Sequence, residues 1–402
     1  MKVLVLNCGS SSIKYKLFDM DNNEVIAQGG IEKIGMKGSF LKLTLPCGQK
    51  VQLEGEILEH RAGIEYILGV MLSEKYGCIK SLDEIDAVGH RVVHGGEKFN
   101  GSVLITQEMI EVMEQQSDLA PLHNPPNLKG IYAVQDVMPN TPQVGVFDTA
   151  FHQTMPDYAY MYGLPYAMYE KYGIRRYGFH GTSHRYVSKR ACEFLGVLYE
   201  SQRIITAHIG NGGSLAAIRN GKSIDTSMGL TPMEGLMMGT RSGDVDPGVI
   251  SYIMEKEQMG TKGISSFLNK FSGLLGVSGV SSDMREVQSA VAKGNKRATL
   301  ALDTYNYRIK KYIGSYAAVL GGVDMLIFTG GVGENQTDLR EYVCSNMEFM
   351  GIELDNELNA TTRAVEAVIS KPTSKVKVLI IPTDEELTIA NDTVMILRGE
   401  KY

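Results

Sequence analysis

The chain writes one structural plan twice, and that repetition limits its possible folds more than any other feature. Near the start, "VLVLNCGSSSIKYKLFD" (residues 3–19) runs from an apolar strand through a turn of Asn, Cys, Gly and Ser into a strand of alternating polarity. "RIITAHIGNGGSLAAIRNGKSIDTS" (residues 203–227) keeps the same order: apolar strand, Asn-Gly-Gly-Ser turn, apolar strand. Asn220-Gly221 then predicts a two-residue hairpin and a third strand, because both central positions of such a turn need positive φ. A second pair matches "IDAVGHRVVHGGE" (residues 85–97) with "VDMLIFTGGVGEN" (residues 323–335): an acidic residue, an apolar strand, Gly-Gly and a Glu. Two motifs, each present twice, predict a duplicated α/β core.

Helical segments separate these strands, as the α/β class requires. Ile64, Ile67, Leu68, Met71 and Leu72 keep helical spacing, with Gly77 as the stop. "GTSHRYVSKRACEFLG" predicts a helix capped by Thr182 or Ser183 and ended at Gly196. "DPGVISYIMEKEQMG" has Asp246 as its cap and Pro247 at the first helical position. Residues 297–320 read as one long helix with Leu300, Tyr307, Tyr316 and Leu320 at apolar positions. A length of 402 residues is enough for two domains, with the boundary expected near "QVGVFDTAFHQTMP" (residues 143–156). The expected division is residues 1–150, completed by a C-terminal helix at about 386–402, and residues 151–385.

Composition narrows the partners. The net charge is -6 and no Lys/Arg run occurs, so no nucleic-acid partner is expected. The five cysteines are scattered without a CxxC pair, which argues against disulfide and zinc frameworks. No signal-peptide core opens the chain and no apolar run could cross a bilayer; a cytoplasmic protein without a membrane partner is expected.

The two hairpins are the first candidates for chemistry. A tight Gly/Ser turn directs backbone N–H groups and hydroxyls to one point, which suits phosphate. Lys14 adds positive charge to the first turn, and Asn7 could orient a hydrated Mg²⁺. One such turn is usually an ordinary surface hairpin; a second copy at Asn211-Gly212-Gly213-Ser214 favours a polyphosphate site. Other nucleotide motifs are absent. "AAIRNGKS" has Ala216 where a P-loop needs Gly, and "GGVGEN" leads to Gln336 where a dinucleotide fingerprint needs its third Gly. Arg91, Asp148, His180 and Arg241 lie at strand–loop junctions beside glycines. Each alone has a bland reading as ion pair, cap or core histidine. Together they are what a phosphoryl-transfer cleft requires. His90/His94 and His180/His184 are each four apart, but no HExxH motif exists and zinc is disfavoured. In the tail, Thr383 and Glu386 read as a capping box, while Glu385 is open to a second reading beside Mg²⁺.

"NCGSSSIKYKLF", "GHRVVHGGE", "VFDTAFHQTMP", "YGFHGTSHRYV", "AHIGNGGSLAAI", "DTSMGLTPMEGLMMGTRSGDVDP", "TGGVGEN" and "PTDEELTIA" together resemble the acetokinase family, within the acetate and sugar kinase/Hsp70/actin superfamily. The segments run from residue 3 to about residue 390 in the family's order; Asp384 stands where many members have Asn. The resemblance implies two duplicated ribonuclease H-like (actin-like ATPase) domains with an interdomain active-site cleft. It implies reversible transfer of the γ-phosphoryl of ATP to acetate, giving acetyl phosphate and ADP. Mg²⁺ would serve as cofactor, with Mn²⁺ as an alternative, and the protein would be a homodimer. By the same resemblance, Asp148, His180, Arg241 and Arg91 are catalytic, and Asn7 and Glu385 serve the metal. Lys14, Ser10 and Ser12 form the first phosphate loop. His208, Ile209, Gly210, Asn211, Gly212, Asp283, Met284, Arg285, Gly331, Val332, Gly333, Glu334 and Asn335 form the nucleotide site. Arg91, Val93, Leu122 and Pro232 form the substrate pocket. Rival readings are a propionate or butyrate kinase, a pyrophosphate-using relative, and a nucleotide-operated interaction protein without catalysis.

Overall fold

The computed structural model describes residues 1–400 apart from Pro46, Leu119, Pro121 and Leu122. The chain divides into two compact units, Met1–Phe151 with Asp384–Tyr402, and His152–Thr383.

Unit one is built on a sheet of β1 (Lys2–Cys8), β2 (Ser12–Asp19), β3 (Glu24–Glu32), β4 (Phe40–Thr44), β5 (Lys50–Glu54), β6 (Ala87–Val92), β7 (Val103–Leu104) and β8 (Gln143–Phe147). Among the described residues its order is β5-β4-β3-β2-β1-β6-β8-β7. Strands β1, β6 and β8 run parallel, and β2 and β3 join β1 by antiparallel pairing. Burial follows from this. Val3 to Leu6 are covered on both faces, while β2 alternates, with Ile13, Tyr15 and Leu17 inward and Lys14 and Lys16 outward. The helices His60–Leu72 and Asn124–Val137 cover one face with Ile64, Ile67, Leu68, Ala133 and Val134. The closing helix Glu385–Leu397 covers the other through Ile389, Ala390 and Val394. That approach requires Gly89. A Cβ there would lie 2.5 Å from Thr393 Oγ1 and 2.7 Å from Ile389 Cγ2.

Unit two carries β9 (Arg203–Ile209), β10 (Gly213–Arg219), β11 (Lys222–Thr226), β12 (Met325–Thr329), β13 (Ala367–Val368) and β14 (Lys377–Ile380). Their order is β11-β10-β9-β12-β14-β13, with β9, β12 and β14 parallel and β9, β10 and β11 antiparallel. The stretch β11-β10-β9-β12-β14 thus repeats β3-β2-β1-β6-β8. Both repeated motifs fall on equivalent strands. Asn220 and Gly221, at φ 54° and 74°, make the expected tight turn. The helix Lys296–Leu320 buries Ala301, Tyr305, Ile309, Ile313 and Tyr316 against this sheet. On the other side the helix Gly181–Leu195 packs on β9 and β12.

Three local expectations change. The helix Gly181–Leu195 begins at His180, in left-handed conformation, without a hydroxyl cap; Thr182 and Ser183 lie inside it and are buried. Leu300 and Tyr307 are exposed on the long helix, whose buried stripe runs through Tyr305, Ile309 and Ile313 instead. The closing helix is capped by Asp384, which accepts from Leu387 N, and Thr383 instead bonds Ser183. No helix among the described residues is long and apolar enough to cross a membrane.

Candidate active site

In unit one the polar residues gather where the three parallel strands end, the usual place for a ligand in an α/β sheet. Asn7 stands at the end of β1, Arg91 near the end of β6, Asp148 just after β8, and Glu385 opens the closing helix. Arg91 forks onto the buried Asp148, with Nε to Oδ1 at 3.2 Å and Nη2 to Oδ2 at 2.5 Å. Its Nη1 donates to Asn7 Oδ1 at 3.4 Å, and Glu385 Oε2 lies 3.9 Å from its Nε. Burial alone would lower the Arg91 pKa; Asp148 and Glu385 outweigh it and hold the pKa above its ordinary value. Glu385 goes the other way. Burial, opposed by Arg91 and reinforced by the Asp148 carboxylate, pushes it up to about 7.

The first hairpin turn is closed by Gly9 N donating to Ser12 O at 2.8 Å. Ser10 and Lys14 are exposed and Ser12 half-buried, with Lys14 opposite Asn7 in the strand register. Sequence reading missed Asn127, which ties the strand ends together. Its Nδ2 donates to Cys8 O and its Oδ1 accepts from Val93 N. Its only signal was a polar residue in a helix beginning with prolines. Val93 is buried; Leu122 lies outside the described residues.

In unit two, His180 and Arg241 converge on the second hairpin turn. A Cβ on Gly212 would lie 3.3 Å from Arg241 Nη1 and 3.8 Å from His180 Nε2, so glycine leaves that space open. His208 stacks on His180 with ring centroids 4.3 Å apart. Arg241 Nη1 donates to Pro232 O at 2.9 Å, and among the described residues no carboxylate pairs with Arg241. Burial lowers its pKa. A half-buried cation without a counter-charge attracts an anion by elementary electrostatics.

Beside this turn opens a cavity of about 700 Å³, lined by Gly210, Asn211, Asp283, Met284, Arg285, Gly331, Val332 and Asn335 among the expected nucleotide residues. Gly239, Leu274, Ser282, Tyr305 and Gln336 also line it, though no motif marked them. Ile209 faces the core and Gly333 is buried. Glu334 works on its own loop, accepting from Gly330 N at 2.9 Å and Thr383 N at 3.3 Å. Arg340, fully buried, places its guanidinium on Gly333 O, Glu334 O, Asn359 Oδ1, Asn359 O and Thr362 O. It fixes the end of the "GGVGEN" helix without a carboxylate partner among the described residues.

The loop that carries Arg241 is held from outside. Arg176 Nη1 donates to the carbonyls of Thr226, Ser227 and Met228, and its Nη2 pairs with Glu234 at 2.6 Å. Asp244 accepts from Gly235 N and from Tyr312 Oη. None of these residues stood out in the sequence, because scattered Arg, Glu and Tyr carry no local signature.

No group of three His, Cys, Asp or Glu side chains among the described residues is arranged to hold a metal ion. The donors on offer are the Asn7 amide and the Asp148 and Glu385 carboxylates. That all-oxygen set suits a hard cation that keeps most of its waters.

The profile of the acetokinase family matches residues 2–391. The chain is similar to the curated acetate kinase of Bacteroides thetaiotaomicron, 70% identical over 398 residues, 99% of this chain and 100% of that one. Its fold is similar to the crystal structure of Porphyromonas gingivalis acetate kinase, with TM-score 0.96, 64% identity, and 98% and 99% of the two chains covered. It is also similar to the crystal structure of a propionate kinase from Francisella tularensis, with TM-score 0.91, 41% identity, and 98% and 99% covered.

Proposed function

This chain belongs to the acetokinase family, and on that footing we propose that it transfers the γ-phosphoryl of ATP reversibly to acetate. It is an enzyme, a phosphotransferase with a carboxyl group as acceptor, and its family uses ATP and ADP. The observation that carries the reading is Arg241, half-buried, without a carboxylate partner among the described residues, and meeting His180 over Gly212.

In the forward direction an acetate oxygen attacks the γ-phosphorus, a new O–P bond forms, and the bond to the β-phosphate breaks. Its electron pair leaves on ADP. Acetate is already ionised near neutral pH, so no base is needed; the obstacle is repulsion between anions. Arg91 holds the acceptor carboxylate while Asp148 fixes the guanidinium plane. Arg241 neutralises the moving phosphoryl, and His180 donates a hydrogen bond to it. The cavity of unit two takes the nucleotide, and Lys14 with Ser10 and Ser12 contacts its phosphates. Mg²⁺, served by Asn7 and Glu385 with Asp148 beside them, would supply charge neutralisation on the phosphates; Mn²⁺ could replace it. Val93 and Pro232 border the acceptor's methyl group. A cytoplasmic homodimer is the assembly we propose, supported by exposed Tyr158, Leu164, Tyr166 and Tyr172 on one segment of unit two.

Purified protein with Mg-ATP and acetate, propionate or butyrate, with acyl phosphate trapped by hydroxylamine, tests the reading. Highest kcat/KM with acetate is expected. The 41% identical propionate kinase favours propionate as the second substrate, since one methylene changes discrimination by only about 1–3 kcal/mol. Absence of acyl phosphate with every acid would overturn the proposal, and near-normal turnover of Asp148→Asn would remove Asp148 from it.

A further inference from the structure

We propose that Thr206, His184 and Ser214 form a hydroxyl–imidazole relay that holds His180 with its proton on Nε2, which makes all three positioning residues for the reaction. The proposal rests on the reading of His180 as a group that faces the phosphoryl.

The relay can be traced proton by proton. Thr206 Oγ1 lies 2.6 Å from His184 Nδ1, His184 Nε2 lies 2.8 Å from Ser214 Oγ, and Ser214 Oγ lies 2.9 Å from His180 Nδ1. Thr206, His184 and Ser214 are fully buried, so no bulk water can satisfy them. The Thr206 hydroxyl has one hydrogen-bond partner among the described residues, His184 Nδ1. Its proton must point there, because a buried hydroxyl proton without an acceptor is costly. Nδ1 of His184 is therefore bare, and its proton sits on Nε2. That N–H donates to Ser214 Oγ. The Ser214 proton is left with His180 Nδ1 as its acceptor, so Nδ1 of His180 is bare too and its proton sits on Nε2.

The direction matters because Nε2 is the ring nitrogen of His180 on the side of the Gly212 turn, 3.8 Å from a Cβ placed there and beside Arg241. A proton there makes the ring a donor to a phosphoryl oxygen. The other tautomer would present a lone pair to an anion. One serine hydroxyl has a single proton, so the two rings it joins cannot change tautomer independently. Burial, together with the nearby rings of His152 and His208, keeps the His184 pKa well below its ordinary value, and the relay stays neutral. The sequence showed His180 and His184 four apart; His180 caps the helix, His184 lies in its first turn, and both rings meet Ser214.

The test uses the whole chain with ¹⁵N in its histidine rings. Long-range ¹H–¹⁵N correlation at alkaline pH reads each tautomer, and the His180 signals are those lost in His180→Gln. The Nε2–H form is expected for His180 in the unaltered chain. Thr206→Val keeps the side-chain shape and removes the hydroxyl. It should mix the tautomers of both rings and lower kcat about two- to tenfold with KM for ATP unchanged. Thr206→Ser should restore both readouts. Ser214→Ala cuts the relay at its centre and should mix the His180 tautomers as well. A His180 that keeps the Nε2–H form in both variants, or shows Nδ1–H in the unaltered chain, overturns the relay. Mixed tautomers with unchanged kcat uphold the relay and overturn the reading of His180 as a group acting on the phosphoryl.

Discussion

Each unit places one arginine in its polar cluster, and the two are kept in opposite electrostatic states. Arg91 is neutralised by a two-point bond to Asp148 and a nearby Glu385. Arg241 has carbonyl and thioether neighbours, Pro232 O and Met238 Sδ, but no carboxylate among the described residues. The same sheet plan thus yields a rigid, balanced cluster in one unit and an open positive site in the other. An arginine that must orient a carboxylate benefits from a fixed plane; one that must neutralise charge arriving in the transition state must not be neutralised beforehand.

The largest expected effects come from removing the two arginines. Arg241→Ala should lower kcat by about 10³-fold or more while leaving the thermal midpoint unchanged or higher, because the lost charge had no partner. Arg91→Ala should lower activity on a similar scale but also cost about 3–5 kcal/mol of stability, because it strands the buried Asp148. Hydroxamate kinetics and thermal melts of both variants measure the contrast. Equal loss of stability in the two would break it.

The two hairpin turns give a smaller test. Gly212→Ala puts a methyl group 3.3 Å from Arg241 Nη1 and should lower kcat about tenfold. Gly9→Ala puts a methyl group 3.1 Å from Ser12 Oγ and at ordinary contact, 3.7 Å, from Ser12 O; the hydroxyl can rotate away. Less than about a twofold change is expected there. Steady-state rates of the pair show whether glycine matters for close approach in unit two alone.

The smallest effect concerns pH. Burial, opposed by Arg176, raises Asp225 to about 6. Between the ordinary aspartate range and that value the folded chain holds more protons than the unfolded one, so this residue makes stability fall as pH rises through the window. Asp225→Asn should therefore stabilise the protein at neutral pH by about 1–3 kcal/mol, and the gain should vanish near pH 4. Denaturant melts of the two proteins across this range check the sign; a gain that grows on acidification would contradict it.

Much of this architecture was legible in the chain. The paired hairpins and the two Gly-Gly strand ends fell on equivalent strands because the motifs encode backbone events, a reversal and a strand end, that depend on local residues. Asp246 and Pro247 marked a helix start for the same reason. The cap at His180 did not show, because its ring partners, Ser214 and His208, lie far away in the sequence. Asn127, Arg176, Arg340 and Asp244 were equally silent, since each bonds carbonyls or amides distant in sequence. His180, Arg91 and Arg241 stood close to glycines that marked them; groups that hold them in place stood anywhere.

The closing helix gives the chain an order of assembly. Unit one is synthesised first, yet the face of its sheet formed by Val3, Val5, Phe18, Val144 and Val146 is covered by Ile389, Ala390 and Val394 of the closing helix, with Leu387, Ile396 and Leu397 beside them. Those residues follow all of unit two, which can fold while its older neighbour still lacks a wall. A chain that stops short of residue 385 leaves an oily face open and its arginine cluster without Glu385. The closing helix is thus the part of unit one that arrives after unit two, and the apolar face it covers stays open until it docks.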